Sequence, residues 1–529
     1  MASRGDPRPG RTAWWWPALA TLAVTLVQLG RPQPWRDELA TWSAATRDLS
    51  DLLRMARTVD ASATPYYLFM HGWTGLFGDS PTALRLPSAL AMTAAAALAA
   101  VLGGRLLGPG TGLLAGLLFA VVPSTSRYGQ EARPYALVTM LAVLATLLLV
   151  RAIDRPGWWR WLAYGLAVAG LGLGHLVAAT LLAGHAVAVL LALRRTRDRR
   201  LLRWPVALLP AVAAVTPLVL LGGGQHQRQL DWVGRPGLGE LVRFPGGVTG
   251  AAAVGGALAV LAALGLATLL HRAGTADGAA RAGTADGAAR PDPAGADSDA
   301  GTGDPGGPAA AHPGRIGRRG WAVVLGACVL LPVAVLFVAG LVTPLWVPRY
   351  LVFTVPFAGL LAGAALAAVD VRAALPVVAV VAVLGGPEQA GMRRTHEWPR
   401  TRPVDYAAAA RIIDAGDRPG DAVVYSPRDG WRFLDLALAY HLRDGRPDDL
   451  LAVRDPVRAG SLWADECADP APCLAPAGRV WLLLSGEHGA DPLAAVPEPK
   501  AGALRAGFTV DHTWTVDGLT VALLSPTPR

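Results

Sequence analysis

The sequence is poor in charge and has a single lysine, Lys500, among 48 basic residues. Charged residues make up 16% of its 529 positions, against about a quarter in a soluble domain. Cysteine is scarce as well, and Cys328, Cys467 and Cys473 follow no metal-ligand spacing. What is abundant is apolar: 53% of the residues are hydrophobic. Together these features exclude a soluble enzyme, a disordered tail and a disulfide-rich secreted module. The arginine bias, beside plentiful Ala, Gly and Pro, reflects a GC-rich coding sequence. The net charge of +9 therefore argues for no nucleic-acid partner, since arginines in a membrane protein mark cytoplasmic loops.

A helix needs about 20 mostly apolar residues to cross the hydrocarbon core. Such runs are found at Trp14–Gly30, Ala83–Gly103, Gly112–Ser126, Tyr135–Ile153, Trp161–Leu173, Val177–Leu193, Trp204–Leu221, Gly250–Leu270, Trp321–Leu341, Tyr350–Val369 and Ala373–Gly386. The expected fold is mostly α, a polytopic membrane protein with about eleven transmembrane helices. Arg4, Arg8 and Arg11 before the first span put the N-terminus in the cytoplasm. Arg105, Arg151–Arg160, Arg194–Arg203, Arg318–Arg319 and Arg372 then also fall inside, and the polar C-terminal region outside.

The expected domains are 1–386, a transmembrane catalytic unit, and 387–529, a small extracytoplasmic α/β domain. Within the first, His271–Arg319 is Gly, Ala, Asp and Pro-rich and repeats AGTADGAAR in tandem, which predicts a disordered cytoplasmic loop. In the second, Asp405–Ala415 and Phe433–Leu442 read as helices and Ala422–Tyr425 and Val480–Leu484 as strands. Phe508–Val516 and Thr520–Leu524 read as a hairpin around Asp517-Gly518. On the oxidising side, Cys467 and Cys473 are expected to pair, the alternative being two free thiols.

The loop after the first span carries Arg36-Asp37-Glu38 and is too long and too patterned for a simple connector. Leu39, Trp42, Leu49, Leu52, Leu53 and Met55 recur at helical spacing, as do Tyr67, Phe69, Trp73, Leu76 and Phe77 after Pro65. Each set predicts an amphipathic helix in the membrane interface. Two adjacent carboxylates at the end of a span either cap the first of these helices or supply a general base that takes a proton from an acceptor hydroxyl. Glu38 in the second reading orients the acceptor or a divalent metal, although nothing in the sequence requires a metal.

A second outer cluster holds Arg127, Glu131, Arg133 and Tyr135. Arginine outside runs against the positive-inside bias. It is explained either by a lipid phosphate, which guanidinium grips with paired donors, or by an ion pair of Glu131 with Arg127 or Arg133. Arg349-Tyr350 opens the tenth span, as a second phosphate ligand or as interfacial snorkelling. His175 and His185 read as packed or cavity-lining residues. Gln225, His226, Arg228 and Asp231 in an outer loop, and His396-Glu397, are weaker candidates for substrate contact.

These residues resemble those of GT-C glycosyltransferases, in the bacterial branch related to protein O-mannosyltransferases and the aminoarabinose transferase of lipid A. The resemblance rests on Arg36-Asp37-Glu38, Thr64-Pro65-Tyr66-Tyr67, Leu76-Phe77-Gly78-Asp79-Ser80, Leu84-Arg85-Leu86-Pro87-Ser88 and Glu131-Ala132-Arg133-Pro134-Tyr135. Downstream it includes Pro348-Arg349-Tyr350-Leu351 and Pro419-Gly420-Asp421-Ala422-Val423-Val424. It implies a hexose donor such as mannose on a polyprenyl phosphate, and a protein, lipid or polysaccharide acceptor with a free hydroxyl. It also implies Asp37 as catalytic base, Arg133 and Arg349 on the lipid phosphate, and Tyr66 near the donor. Ala63-Thr64-Pro65 departs from the family pattern, which leaves donor identity open. A transporter or lipid flippase is the rival class, but the spans are nearly free of charge and no inverted repeat is found.

Overall fold

A computed structural model describes residues 14–225, 232–286, 316–369, 371–443, 445–489 and 491–528. Arg4, Arg8 and Arg11, most of the loop predicted after His271, and His226, Arg228 and Asp231 lie outside the described residues. The protein is mostly helical. Among the described residues eight helices are long and apolar enough to cross a membrane, Pro81–Leu106 and Tyr135–Asp154 being the first two. A bent pair brings the number to nine. The shorter apolar helix α1 (Trp15–Leu26) and the 17-residue helix Trp158–Gly174 match two further predicted spans.

The bend has a local cause. The predicted span Gly112–Ser126 is two helices, α6 (Pro109–Val121) and α7 (Pro123–Gly129), meeting at 66°. Between them Val122 is extended, at φ −67°, ψ 130°. A following proline clashes with helical backbone at the residue before it, so Pro123 breaks the span and turns Arg127 and Glu131 back toward the first outer loop.

That loop folds as α2 (Arg36–Ala45), α3 (Leu49–Met55) and α4 (Thr64–Phe77), as its apolar spacing predicts. Ser80 caps the next helix, α5 (Pro81–Leu106), accepting from the Ala83 amide at 3.2 Å. Helix Ala252–Asp286 extends into the segment predicted as disordered.

Helix Val371–Met392 runs through Pro387, so regular structure in the outer domain begins with helix Tyr406–Gly416, capped by Asp405. Among its described residues the domain holds six strands: β1 (Ala422–Ser426), β2 (Ala452–Arg454), β3 (Asp465–Glu466), β4 (Val480–Ser485), β5 (Phe508–Val516) and β6 (Leu519–Pro526). The main sheet has the order β1-β4-β6-β5, with β1 and β4 parallel and the remaining pairs antiparallel. The β1 strand is buried throughout and β4 nearly so, which is why both read as continuous apolar runs. Gly518 takes φ +68° in the hairpin turn, a conformation that favours glycine. Cys467 and Cys473 are joined by a disulfide, while Cys328 is free and buried.

The outer domain and the first outer loop share one apolar core. Leu39, Leu52, Tyr67 and Met70 pack in the same cluster as Tyr406, Ile413, Leu434 and Trp481. A second cluster fills the space between the membrane helices, and a third lies on the opposite face of the sheet. The α2–α4 segment is thus held from both sides.

Candidate active site

The site is built where the chain leaves α1 and starts α2. Trp35 is extended and caps α2, which places Asp37 and Glu38 in its first turn, where acids are favoured. The two carboxylates then part company. Glu38 is 1% exposed and takes Arg85 Nη2 at 2.6 Å, Arg85 Nε at 2.8 Å and the Ala132 amide at 2.9 Å. Its Oε2 also faces the Trp35 amide at 3.4 Å and His396 Nδ1 at 3.7 Å. Burial alone would raise the Glu38 carboxyl; the Arg85 guanidinium overrides this and holds it well below the usual carboxylate range.

Both Glu38 oxygens are engaged by a guanidinium and backbone amides, the contacts of a residue that caps a helix start. Among the described residues no group of three His, Cys, Asp or Glu side chains could hold a metal ion.

Asp37 is 20% exposed and has no hydrogen bond to its carboxylate among the described residues. Its nearest cations are Arg36 Nε at 3.9 Å and Arg349 Nη2 at 4.0 Å. Its backbone is pinned by Thr41, whose hydroxyl donates to the carbonyls of Asp37 (3.2 Å) and Ala132 (3.0 Å). An open carboxylate on a fixed backbone, facing a cation, is the geometry a general base needs.

Arg133 leaves the turn between α7 and α8 (Tyr135–Asp154) and points its Nη1 at the Tyr67 hydroxyl, 3.4 Å away. That hydroxyl donates to Asp60 Oδ2 at 2.8 Å. Arg133 Nε and Arg349 Nε are buried without a hydrogen-bond partner among the described residues, leaving donor capacity at both cations. Arg349 stands at the start of the 3-10 helix Pro348–Thr354, with its guanidinium 5.4 Å from the Trp232 ring and 5.9 Å from that of Tyr350. Behind it, His175 lies 4.6 Å from Tyr350 and 5.9 Å from Tyr135, closing an aromatic wall.

Arg127 and Glu131 sit one layer deeper. Their ion pair, anticipated as the alternative to phosphate binding, is present at 3.7 Å, with the Arg127 guanidinium 4.8 Å from the Trp35 ring. Burial pushes the Glu131 carboxyl up to about 7, against the opposing pull of Arg127. Tyr66 is buried beside Phe69, 6.2 Å between rings, and it is Tyr67 that bonds Asp60 and Arg133. His185 is packed, bonded to Thr146 and Tyr164.

Sequence reasoning missed Asp60, Tyr67 and Arg85 as members of this constellation. Asp60 is marked by left-handed backbone, φ +56°, a strained state for a non-glycine residue. Burial raises its carboxyl, with Arg133 opposing. The outer loop contributes through Gln225, whose Nε2 donates to the Ala56 carbonyl (3.1 Å) and whose Oε1 accepts from the Ala61 amide (2.9 Å). These bonds fix the segment that carries Asp60.

Residues 64–221 match the family of dolichyl-phosphate-mannose-protein mannosyltransferases. The match contains Arg133 and its surroundings; Asp37 and Arg349 lie outside it. No curated protein matches the chain. Among solved structures, ArnT from Cupriavidus metallidurans bound to undecaprenyl phosphate superposes with a TM-score of 0.58 at 14% identity, over 98% of this chain and 100% of that one. Its apo form gives 0.59 at 15% identity, over 98% and 99%. At such identity the likeness is one of fold, and it extends through the outer domain as well as the membrane helices. The chain is therefore a multi-pass membrane protein whose fold is like that of ArnT and whose residues 64–221 are similar to the protein mannosyltransferases.

Proposed function

We propose that the protein moves a hexose such as mannose from a polyprenyl-phosphate donor to a hydroxyl acceptor on the outer face of the membrane, with Asp37 as general base. One observation carries this reading: Asp37, partly exposed and with no hydrogen bond to its carboxylate among the described residues, stands 4.0 Å from Arg349. This closeness supports a base for the acceptor beside a cation for the departing phosphate, with Arg133 as the second cation. The undecaprenyl phosphate bound by ArnT supports a lipid carrier of that type.

In the reaction the acceptor oxygen attacks the anomeric carbon while its proton passes to Asp37. The bond from that carbon to the phosphate oxygen breaks, and its electron pair leaves with the phosphate. Arg133 and Arg349 stabilise the charge that accumulates there. A single displacement inverts the anomeric centre. Arg127, Glu131, Tyr135 and Tyr350 shape the pocket around the phosphate.

In this reading α1, the bent α6–α7 pair and helix Trp158–Gly174 all cross the bilayer, which gives eleven spans, a cytoplasmic N-terminus and an extracytoplasmic outer domain. The disulfide in that domain supports its placement on the oxidising side. The test is to offer the purified protein in proteoliposomes labelled polyprenyl-phosphate mannose, then other hexoses, with a small hydroxyl acceptor. Donor loss matched by glycoside of inverted configuration is expected. A retained configuration, or donor movement between leaflets without cleavage, would refute the proposal.

A further inference from the structure

The outer domain carries a cleft that contains none of the residues placed at the reacting centre. It has a volume of about 580 Å³ and runs along helix Tyr406–Gly416, lined chiefly by Arg411, Ile412, Arg418, Arg479, Trp481 and Trp514. The two indoles stack, with centroids 5.8 Å apart and planes 29° from parallel. Trp481 is buried and fixed by its Nε1–H, which donates to Asp421 Oδ2 at 3.0 Å, whereas Trp514 is partly open to solvent.

The cleft's charge is uneven. Arg479 is spent on Asp421, with Nη2–Oδ2 at 2.5 Å and Nε–Oδ1 at 3.0 Å. Arg411 and Arg418 are exposed and make no ion pair among the described residues. The other acids nearby are Asp414, exposed on the same helix, and Asp417 at its end, whose neighbours in the field are Asp421 and Arg479. Two unpaired guanidinium groups beside a partly exposed indole suit a ligand that offers both anionic groups and flat apolar ring faces. Guanidinium binds carboxylate or phosphate with paired donors, and an aromatic face packs against the C–H face of a sugar ring.

The cleft also starts beside the base. The first turn of its helix is tied to the loop before α2: Gln33 Oε1 accepts from the Ala407 amide at 2.9 Å, and Gln33 Nε2 donates to the Val404 carbonyl at 2.5 Å. Arg36 Nη2 donates to the Trp398 carbonyl at 3.2 Å. Ala408, the first residue lining the cleft, is one position from that tie, and Asp37 is four positions from Gln33. From there the 11-residue helix extends about 16 Å.

We infer that this cleft binds an anionic polysaccharide and delivers its hydroxyl toward Asp37. The delivery rests on the transferase reading above, while the binding does not. The full-length protein in neutral detergent would be titrated with fluorescent oligogalacturonate, with a malto-oligosaccharide of equal length as uncharged control and oligoglutamate as a control without sugar rings. Oligogalacturonate is expected to bind most tightly, with affinity falling as salt rises. R411A/R418A should weaken it by about 10-fold or more, W514A by about 3- to 10-fold, and D37N not at all.

Equal binding of oligoglutamate or of the malto-oligosaccharide, or full binding by both cleft variants, would overturn the inference. So would a double substitution that releases only phosphatidylglycerol vesicles. Donor cleavage with a small hydroxyl acceptor separates the two claims. A protein that binds the glycan through Arg411 and Arg418 without consuming donor upholds the cleft and refutes the transferase. One that consumes donor while R411A/R418A still binds the glycan does the reverse.

Discussion

Arg85 and Glu38, 47 positions apart in sequence, form a paired-donor ion pair that is almost completely buried, with both side chains 1% exposed. The remaining donors of Arg85 reach the carbonyls of Leu29 (2.9 Å), Pro32 (2.8 Å) and Gln33 (3.2 Å). Glu38 reaches the Ala132 amide in return. One pair thus ties together the end of α1, the start of α2, helix α5 and the turn that bears Arg133. It holds the first turn of α2, which carries Asp37, against the turn that carries Arg133.

Removal of one partner leaves the other charge buried and unpaired, which costs about 3–5 kcal/mol. R85M is therefore expected to lower the thermal unfolding temperature of the detergent-solubilised protein strongly. The double variant R85M/E38M, which buries no lone charge, should recover much of the loss. Equal damage in the single and double variants, followed by intrinsic fluorescence, would contradict this account.

Glu131 gives the protein a pH dependence of known sign. Its folded-state carboxyl is raised to about 7 by burial, from an ordinary value of 4.5. The folded state therefore holds the proton more tightly than the unfolded chain. This contribution is fully present below about pH 4.5 and is lost as pH rises through 7. E131Q, which cannot ionise, should gain stability relative to wild type as pH rises from about 4.5 to 7, by roughly 1.4 kcal/mol per pH unit at most, and keep that gain unchanged above 7. Melting curves at stepped pH would show the gap widening upward; a gap that widens downward contradicts the assignment.

Arg133 and Arg349 are expected to act on the phosphate rather than on stability. R133M and R349M should each lower kcat/KM for the lipid donor by about 10²–10³-fold, the scale seen when one stabilising donor is removed from a transition state. Their unfolding temperatures should stay near wild type. A variant with normal donor kinetics would remove that arginine from the phosphate site.

The disulfide provides a test of sidedness. In intact cells a membrane-impermeant maleimide should label Cys467 and Cys473 only after reduction. Cys328, fully buried between the membrane helices, should react only after denaturation. Labelling of Cys467 without reductant, or only in inverted vesicles, contradicts an oxidised outer domain.

Much of the fold was legible because burial in lipid and in a sheet both leave simple patterns. The long apolar runs became helices, and Val480–Leu484 became a strand covered on both faces. Asp37, Arg133 and Arg349 stood out as charges in an apolar chain. The partners were harder to see. Arg85 and Glu38 meet through folding across 47 positions, and no local spacing announces such a pair. Asp60 and Tyr67 are seven positions apart, but the left-handed turn that joins them is ordinarily a glycine's. The break at Pro123 left a signal in the sequence, since proline disfavours helical backbone in the residue before it, but the same signal at Pro87 and Pro387 breaks no helix.

The central claim is that Asp37 takes the acceptor's proton. The direct measurement is transfer from labelled polyprenyl-phosphate hexose in membranes, comparing wild type with D37N at matched expression and confirming that lipid donor still binds. The account predicts donor binding near wild type with transfer reduced by at least about 10²-fold. Transfer by D37N at the wild-type rate would contradict it and leave Asp37 as a residue that serves the helix start.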